Sequence, residues 1–164
     1  LALVEFSDFQ CPFCGRFARD TYPSIREEFV DKDKLTFVSF AFPLELAHAL
    51  ARKASEAAEC AARQGKYWEM RERLYADQSA LAPAALSNSA QALGLDLKQF
   101  DACLDDGAQK AVQAEIDQGR QLGVNSTPTL FLGRFRRDGS IALVKRIRGA
   151  APLAQLKSEI GSIK

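Results

Sequence analysis

The sequence predicts an α/β domain built in two halves, a βαβ unit at the front and a ββα unit at the back, with an all-helical insertion between them. Three observations carry this. Two short, almost wholly apolar runs at residues 1–6 and 35–42 bracket a helical pattern. From Leu44 to about Val124, apolar residues recur at helical spacing with no strand signal. After Gly123, strand-like runs return around the turn signal Asp138-Gly139.

The first run, LALVEF, reads as a central strand covered on both faces. Residues 7–10 are polar enough for a loop. Pro12 then opens a helix at the position where a missing N–H costs nothing. That helix carries Phe17, Tyr22, Ile25 and Phe29, with Tyr22-Pro23 expected to kink or split it. LTFVSFAF at 35–42 is a second buried strand, ended by Pro43, so the order strand, helix, strand makes a parallel βαβ unit.

In the insertion, Leu46, Leu50, Ala54, Ala57 and Ala61 form one apolar stripe. A second short helix spans 66–75 and carries Trp68, and a third opens at Pro83 and ends at Gly94. A fourth covers 97–104, punctuated by Gly107, and a fifth bears Ala108, Val112, Ile116 and Leu122. Residues 129–132 and 141–148 are then two strands of a hairpin, and Pro152 introduces a last helix with Leu153, Leu156 and Ile160 on one side. The two-part domain is thus 1–43 with 124–164, and the insertion is 44–123; no internal repeat or low-complexity segment interrupts it.

Composition sets the outer limits. Of 164 residues, 47% are hydrophobic and 26% charged, enough for an ordinary core. A net charge of +1 from 22 basic and 21 acidic side chains argues against nucleic acid as a partner. No apolar run approaches the roughly 18 residues that span a bilayer. The chain opens directly on a strand, without a starting Met, a basic n-region or a small-residue cleavage site, which suggests the loss of a leader or anchor.

The chemistry concentrates in Cys11-Pro12-Phe13-Cys14. At the first turn of a helix, two cysteines at this spacing lie within the ~4.4–6.8 Å between α-carbons that a disulfide requires. With Pro12 as first helical residue, Cys11 is the cap, and its sulfur meets unpaired N–H groups and the positive helix end. A thiolate there has its pKa lowered from about 8.5 into the range ~3.5–7.5. Cys11 is therefore the expected exposed nucleophile, and Cys14, one turn in, the less exposed resolving thiol of a dithiol–disulfide exchange that needs no cofactor. The competing reading, half of a zinc site, would need Cys60, Cys103 or His48 as further ligands, and none is paired at ligand spacing. The position between strand and helix favours redox chemistry.

VEFSDFQCPFCGRF, a following strand, AAECAARQGKYWEM and STPTLFLG together resemble the DsbA-like branch of the thioredoxin superfamily over nearly the whole chain. The resemblance implies a thioredoxin-like fold and an extracytoplasmic bacterial protein, in the periplasm or cell envelope, that oxidises, reduces or isomerises disulfides of other proteins. Its partners would be unfolded or reduced exported proteins and a redox partner that recycles the cysteine pair. The chain departs from the family by starting at the strand before CPFC, without the usual extra N-terminal strand.

The resemblance also implies that Pro128 is cis and faces the active-site disulfide, and that Thr127 offers backbone groups to an extended substrate; on base rates alone, trans would be expected. Glu5 stands inside an apolar strand, where a carboxylate is costly without a task. In related proteins an acid at this place lies beneath the disulfide and moves the proton of the second cysteine, and burial raises the pKa of such an acid. Cys60 and Cys103 read either as two buried free thiols or as a bridge tying the insertion together; the resemblance favours the bridge.

The remaining expectations concern single side chains. Phe13 and Pro12 would tune the redox potential, with Phe13 also touching substrate. Phe9 and Trp68 would either line an apolar groove or, more plainly for Trp68, pack in the core. His48, the only histidine, reads as a helix-surface residue without a role. Arg134, Arg136, Arg137, Lys145, Arg146 and Arg148 cluster on the hairpin, as a docking patch or, more simply, a charged edge that resists aggregation. Oxidase ranks above reductase, and reductase above isomerase. Two other classes share these features: a non-enzymatic metal-binding module, and a glutathione-dependent transferase, whose members generally lack the second cysteine.

Overall fold

A computed structural model describes residues 1–163 of the chain. Strands β1 (Ala2–Ser7), β2 (Thr36–Ala41), β3 (Thr129–Phe135) and β4 (Ile141–Arg148) form one mixed sheet in the order β2-β1-β3-β4. β1 runs parallel to β2 in the register Val4↔Val38, and antiparallel to β3 in the register Val4↔Phe131. Every residue of β1 is buried, as its continuous apolar sequence requires of a strand with a neighbour on each side and layers on both faces. β3 and β4 form the antiparallel hairpin, with a bulge between Leu132 and Gly133.

The crossover from β1 to β2 is helical from Pro12 to Val30. It consists of α1 (Pro12–Arg16), a π-helical stretch (Phe17–Thr21), α2 (Tyr22–Ile25) and a second π-helical stretch (Arg26–Val30). Pro23 does not break this run. It sits in the first turn of α2, directly after a widened turn, where its absent N–H leaves no unmet bond.

Five helices lie between β2 and β3: α3 (Ala51–Ala62), α4 (Tyr67–Ala76), α5 (Pro83–Ala92), α6 (Leu97–Asp106) and α7 (Gln109–Gln121). The helix expected from Leu44 onward begins only at Ala51. Residues 45–50 are turns and irregular chain, and Leu46, expected on the apolar stripe, is fully exposed. The cause lies in the loop before α1. Asp8 captures the backbone N–H of Leu44 and the ring of His48. The disulfide Cys60–Cys103 joins α3 to α6. α8 (Leu153–Ser162) closes the fold.

Three apolar clusters hold these layers. Leu3, Phe17, Ile25, Leu130, Leu132, Leu156 and Ile160 fill the face between sheet, α1–α2 and α8. Val4, Phe6, Phe131, Val112 and Ile116 fill the opposite face under α7. α7 comes this close because Gly119 is bare: a Cβ there would lie 2.6 Å from the Phe42 ring. The third cluster is the core of the helical segment, with Ala57, Leu74, Leu86 and Phe100, and it includes Cys11 and Cys14. The helices thus pack against the reactive centre as well as against each other.

Candidate active site

Cys11 is the N-cap of α1, in extended conformation, with Pro12 in the first turn. The position follows from the local sequence. The carboxylate of Asp8 accepts hydrogen bonds from the N–H groups of Gln10 (2.7 Å) and Cys11 (3.1 Å), an Asp-type turn that aims the chain into the helix. Its other oxygen takes the N–H of Leu44 (2.8 Å) and Nδ1 of His48 (2.7 Å). Asp8 is wholly buried, so these four donors meet an acceptor that water does not reach. Gln78, after α4, donates from Nε2 to the carbonyls of Phe9 and Cys11, each at 2.9 Å. Its side chain covers Gly15, where a Cβ would overlap its Oε1.

The loop before β3 supplies the other wall. The Thr127–Pro128 peptide bond is cis, and the Thr127 carbonyl lies 3.5 Å from the Cys11 sulfur. Thr129 Oγ1 donates to the Ser126 carbonyl (2.7 Å), and Gly149 N–H donates to the Pro128 carbonyl (2.8 Å), fixing this loop at the ends of β3 and β4. Between loop and helices, Cys11 is covered more than its sequence position suggests. It is 3% exposed, against an expectation of an open sulfur, because the 127–128 segment and the cluster around Phe9 and Tyr75 close over it. Cys14 is fully buried, and Phe13 between them is half exposed.

The two sulfurs, both free thiols here, differ sharply in acidity. Cys11 is pulled down to about 5, chiefly by the hydrogen bond it receives from Cys14; burial opposes this, and the Thr127 side chain and the backbone N–H groups at Cys14 and Phe13 add to it. Cys14 is pushed well above the usual thiol range, first by burial, then by its bond to Cys11 and by the charge of Glu5. The arrangement therefore holds one thiolate and one thiol at neutral pH.

Beneath Cys14, Glu5 of β1 is fully buried. It has a partner that the sequence did not announce: Arg71 of α4 binds its Oε2 at 2.9 Å. Ser39 donates to the same oxygen (3.3 Å) and receives the Tyr67 hydroxyl (3.0 Å). The Arg71 guanidinium is enclosed by the rings of Tyr22, Tyr75, Phe37 and Trp68, with centroids 4.8, 5.1, 5.4 and 6.0 Å away.

The structure brings Cys11, Cys14, Thr127, Pro128 and Glu5 together, with Pro12 and Phe13 between the cysteines. It keeps Cys60 and Cys103 apart from them, joined to each other on α3 and α6. Phe9 and Trp68 do not share a groove. Phe9 is buried against Tyr75, while Trp68, 46% exposed and not in the core, stacks on Tyr22 beside a cleft between the 12–30 helices and α4. His48 is half buried on Asp8, off any helix. Sequence reading missed Asp8, His48, Arg71 and Gln78. Only Asp8 had a local signal, an Asp three residues before a helix cap.

A family model described as thioredoxin matches residues 1–144. The Na(+)/H(+) antiporter NhaA 3 of Salinispora tropica is 38% identical over 166 residues, 98% of this chain but 25% of that protein, so the chain spans about a quarter of the length of such curated relatives. Among solved structures, alpha-DsbA1 of Wolbachia pipientis superposes with a TM-score of 0.80 at 19% identity, covering 99% of this chain and 84% of that one. Oxidised BdbD of Bacillus subtilis does so at 0.80 and 22% identity, covering 98% and 85%. At these identities the structures establish a common fold, helical insertion included. Among the described residues, no helix is long and apolar enough to cross a membrane.

Proposed function

The chain belongs to the thioredoxin family, and from that premise we propose that it is a thiol–disulfide oxidoreductase that introduces disulfides into exported proteins through Cys11 and Cys14. The observation that carries this reading is the split acidity of the pair. A Cys11 pKa of about 5 makes the thiolate roughly a hundredfold more abundant than the thiol at about pH 7. Stabilising the reduced form in this way is what makes a dithiol–disulfide pair an oxidant.

The chemistry balances as follows. A substrate thiolate attacks Cys11 Sγ of the Cys11–Cys14 disulfide; the substrate–Cys11 bond forms and Cys14 leaves. Cys14 takes up a proton, as its high pKa favours, and Glu5 beneath it aids that transfer. A second substrate thiolate then attacks the substrate sulfur of the mixed disulfide, and Cys11 departs as its stabilised thiolate. The substrate loses two electrons and the enzyme gains them, to be passed on to a redox partner. Thr127 and Pro128 stand beside the reacting sulfur, where an extended chain could pair with the loop backbone.

An envelope location fits this chemistry, since protein disulfides persist in oxidising compartments. The relatives named as antiporters carry a similar segment in a protein that works at a membrane. The test is oxidative refolding of a reduced protein with known native disulfides. The oxidised chain should form them stoichiometrically. Cys11→Ser and Cys14→Ser should each abolish this, since neither variant can hold the Cys11–Cys14 disulfide that oxidises the substrate. Refolding that proceeds equally without Cys11 would overturn the assignment.

A further inference from the structure

Charge is distributed unevenly over this nearly neutral chain. Residues 134–148 hold six of the 22 basic and one of the 21 acidic side chains, so the β3–β4 hairpin carries +5 while the remainder carries −4. Two of the six are engaged: Lys145 pairs with Glu159 of α8, and Arg146 binds the Gly123 carbonyl and lies over the Phe131 ring. Arg134, Arg136, Arg137 and Arg148 are exposed, with no ion-pair partner among the described residues.

The same hairpin is also apolar. Of eight exposed large hydrophobic side chains among the described residues, three lie on it: Phe135 (48%), Leu143 (36%) and Val144 (59%). Phe135 and Leu143 flank bare Gly133 on one face, since Gly133 pairs with Leu143 and Phe135 with Ile141, and Val144 is left unpaired at the bulge. A charged edge that only blocks strand addition needs its arginines but gains nothing from three exposed apolar side chains beside them. Arginines at a turn flanked by an aromatic and two aliphatic side chains match the chemistry of an anionic bilayer surface. The guanidinium groups meet phosphate, and the apolar groups enter the acyl boundary.

We propose that the β3–β4 hairpin, tip first, is a docking surface for an anionic lipid bilayer. Its position gives the docking a consequence. The Cys11 site lies at the Thr129 end of β3, and the tip follows Phe135, six residues or about 20 Å along the strand. A chain held by the tip presents Cys11 away from the lipid, open to proteins in the adjoining aqueous space. The envelope location proposed above brings such a surface within reach, but the docking itself is independent of thiol chemistry.

The experiment is cosedimentation of the chain with vesicles of phosphatidylglycerol mixed with phosphatidylcholine, against phosphatidylcholine alone. Binding is expected only to the anionic vesicles. The R136Q/R137Q variant should lower the partition coefficient about 30-fold, roughly fivefold per charge. F135S/V144S should lower it about tenfold or more at a salt concentration that screens the arginines. K98Q/K110Q, which removes two exposed charges from the helical segment, should bind as the parent does. Equal binding to both vesicles would overturn the proposal. So would an equal loss in K98Q/K110Q, or binding indifferent to Phe135 and Val144. Thiol oxidation in solution should be unchanged in every variant, which separates this test from that of the catalytic reading.

Discussion

Replacing Arg71 with Met strands a fully buried charge in the site. Glu5 is fully buried and Arg71 nearly so, and their 2.9 Å bond is the carboxylate's only ionic contact among the described residues. What would remain for Oε2 is the 3.3 Å bond from Ser39, while Oε1 already has no hydrogen-bond partner among the described residues. Breaking a buried pair from one side costs about 3–5 kcal/mol, because the stranded charge can neither hydrate nor pair. For a chain of this size, a midpoint falls by about 2–4 °C per kcal/mol, so the reduced Arg71→Met protein should melt roughly 6–20 °C lower. Met keeps apolar contact with the rings of Tyr22, Phe37, Trp68 and Tyr75, so lost packing adds little. Adding Glu5→Gln removes the stranded charge and leaves an amide able to bond Ser39; the double variant should recover most of the loss. Urea unfolding of the four proteins of this cycle gives the coupling directly. A single-variant cost below about 1 kcal/mol, or no recovery in the double variant, would refute the view that Arg71 is there to hold the Glu5 charge.

Further outcomes follow from the same geometry. Ultraviolet absorbance of the Cys11 thiolate should titrate with a midpoint near 5, and Cys14→Ala should raise that midpoint, since the Cys14 thiol is the main stabilising contact. Because the folded pKa lies below the unfolded one, Cys11 adds stability to the reduced protein that is full above about pH 9 and lost as pH falls to about 5. Relative to Cys11→Ala, the reduced protein should gain stability across that window; a flat difference would contradict the low pKa. Removing the Cys60–Cys103 bridge by C60S/C103S frees a loop of 43 residues' separation and should cost about 4 kcal/mol in the chain-entropy model, leaving the potential of the Cys11–Cys14 pair unchanged. Asp8→Asn turns an amide NH2 toward donors that need an acceptor. It should cost about 2–3 kcal/mol and slow thiol exchange, whereas an exchange rate equal to the parent's would show that the Asp8 turn does not position Cys11.

The strands and most helices were legible because each buries a continuous or periodic apolar pattern: LALVEF as a central strand, and Ala54, Ala57 and Ala61 as one face of α3. The reactive cysteines were legible because CxxC between strand and helix admits few uses. What escaped was tertiary. Nothing near Leu44 in sequence announces that its N–H will serve Asp8, 36 residues earlier, so a helix was expected where the chain is held in turns. Arg71 lies on a helix beside Glu72 and Arg73 and looks like a solvated residue; only the packing of α4 against α1 and the first π-helical stretch puts it on Glu5. Likewise, part of the cover over Cys11 comes from a loop 116 residues away, which no local pattern conveys.

The most direct test of the central claim is the reduction potential of the Cys11–Cys14 pair, measured by equilibration in glutathione buffers. The stabilised Cys11 thiolate predicts an oxidising couple, nearer about −120 mV than about −270 mV. A value near −270 mV would make the protein a reductant and contradict the account.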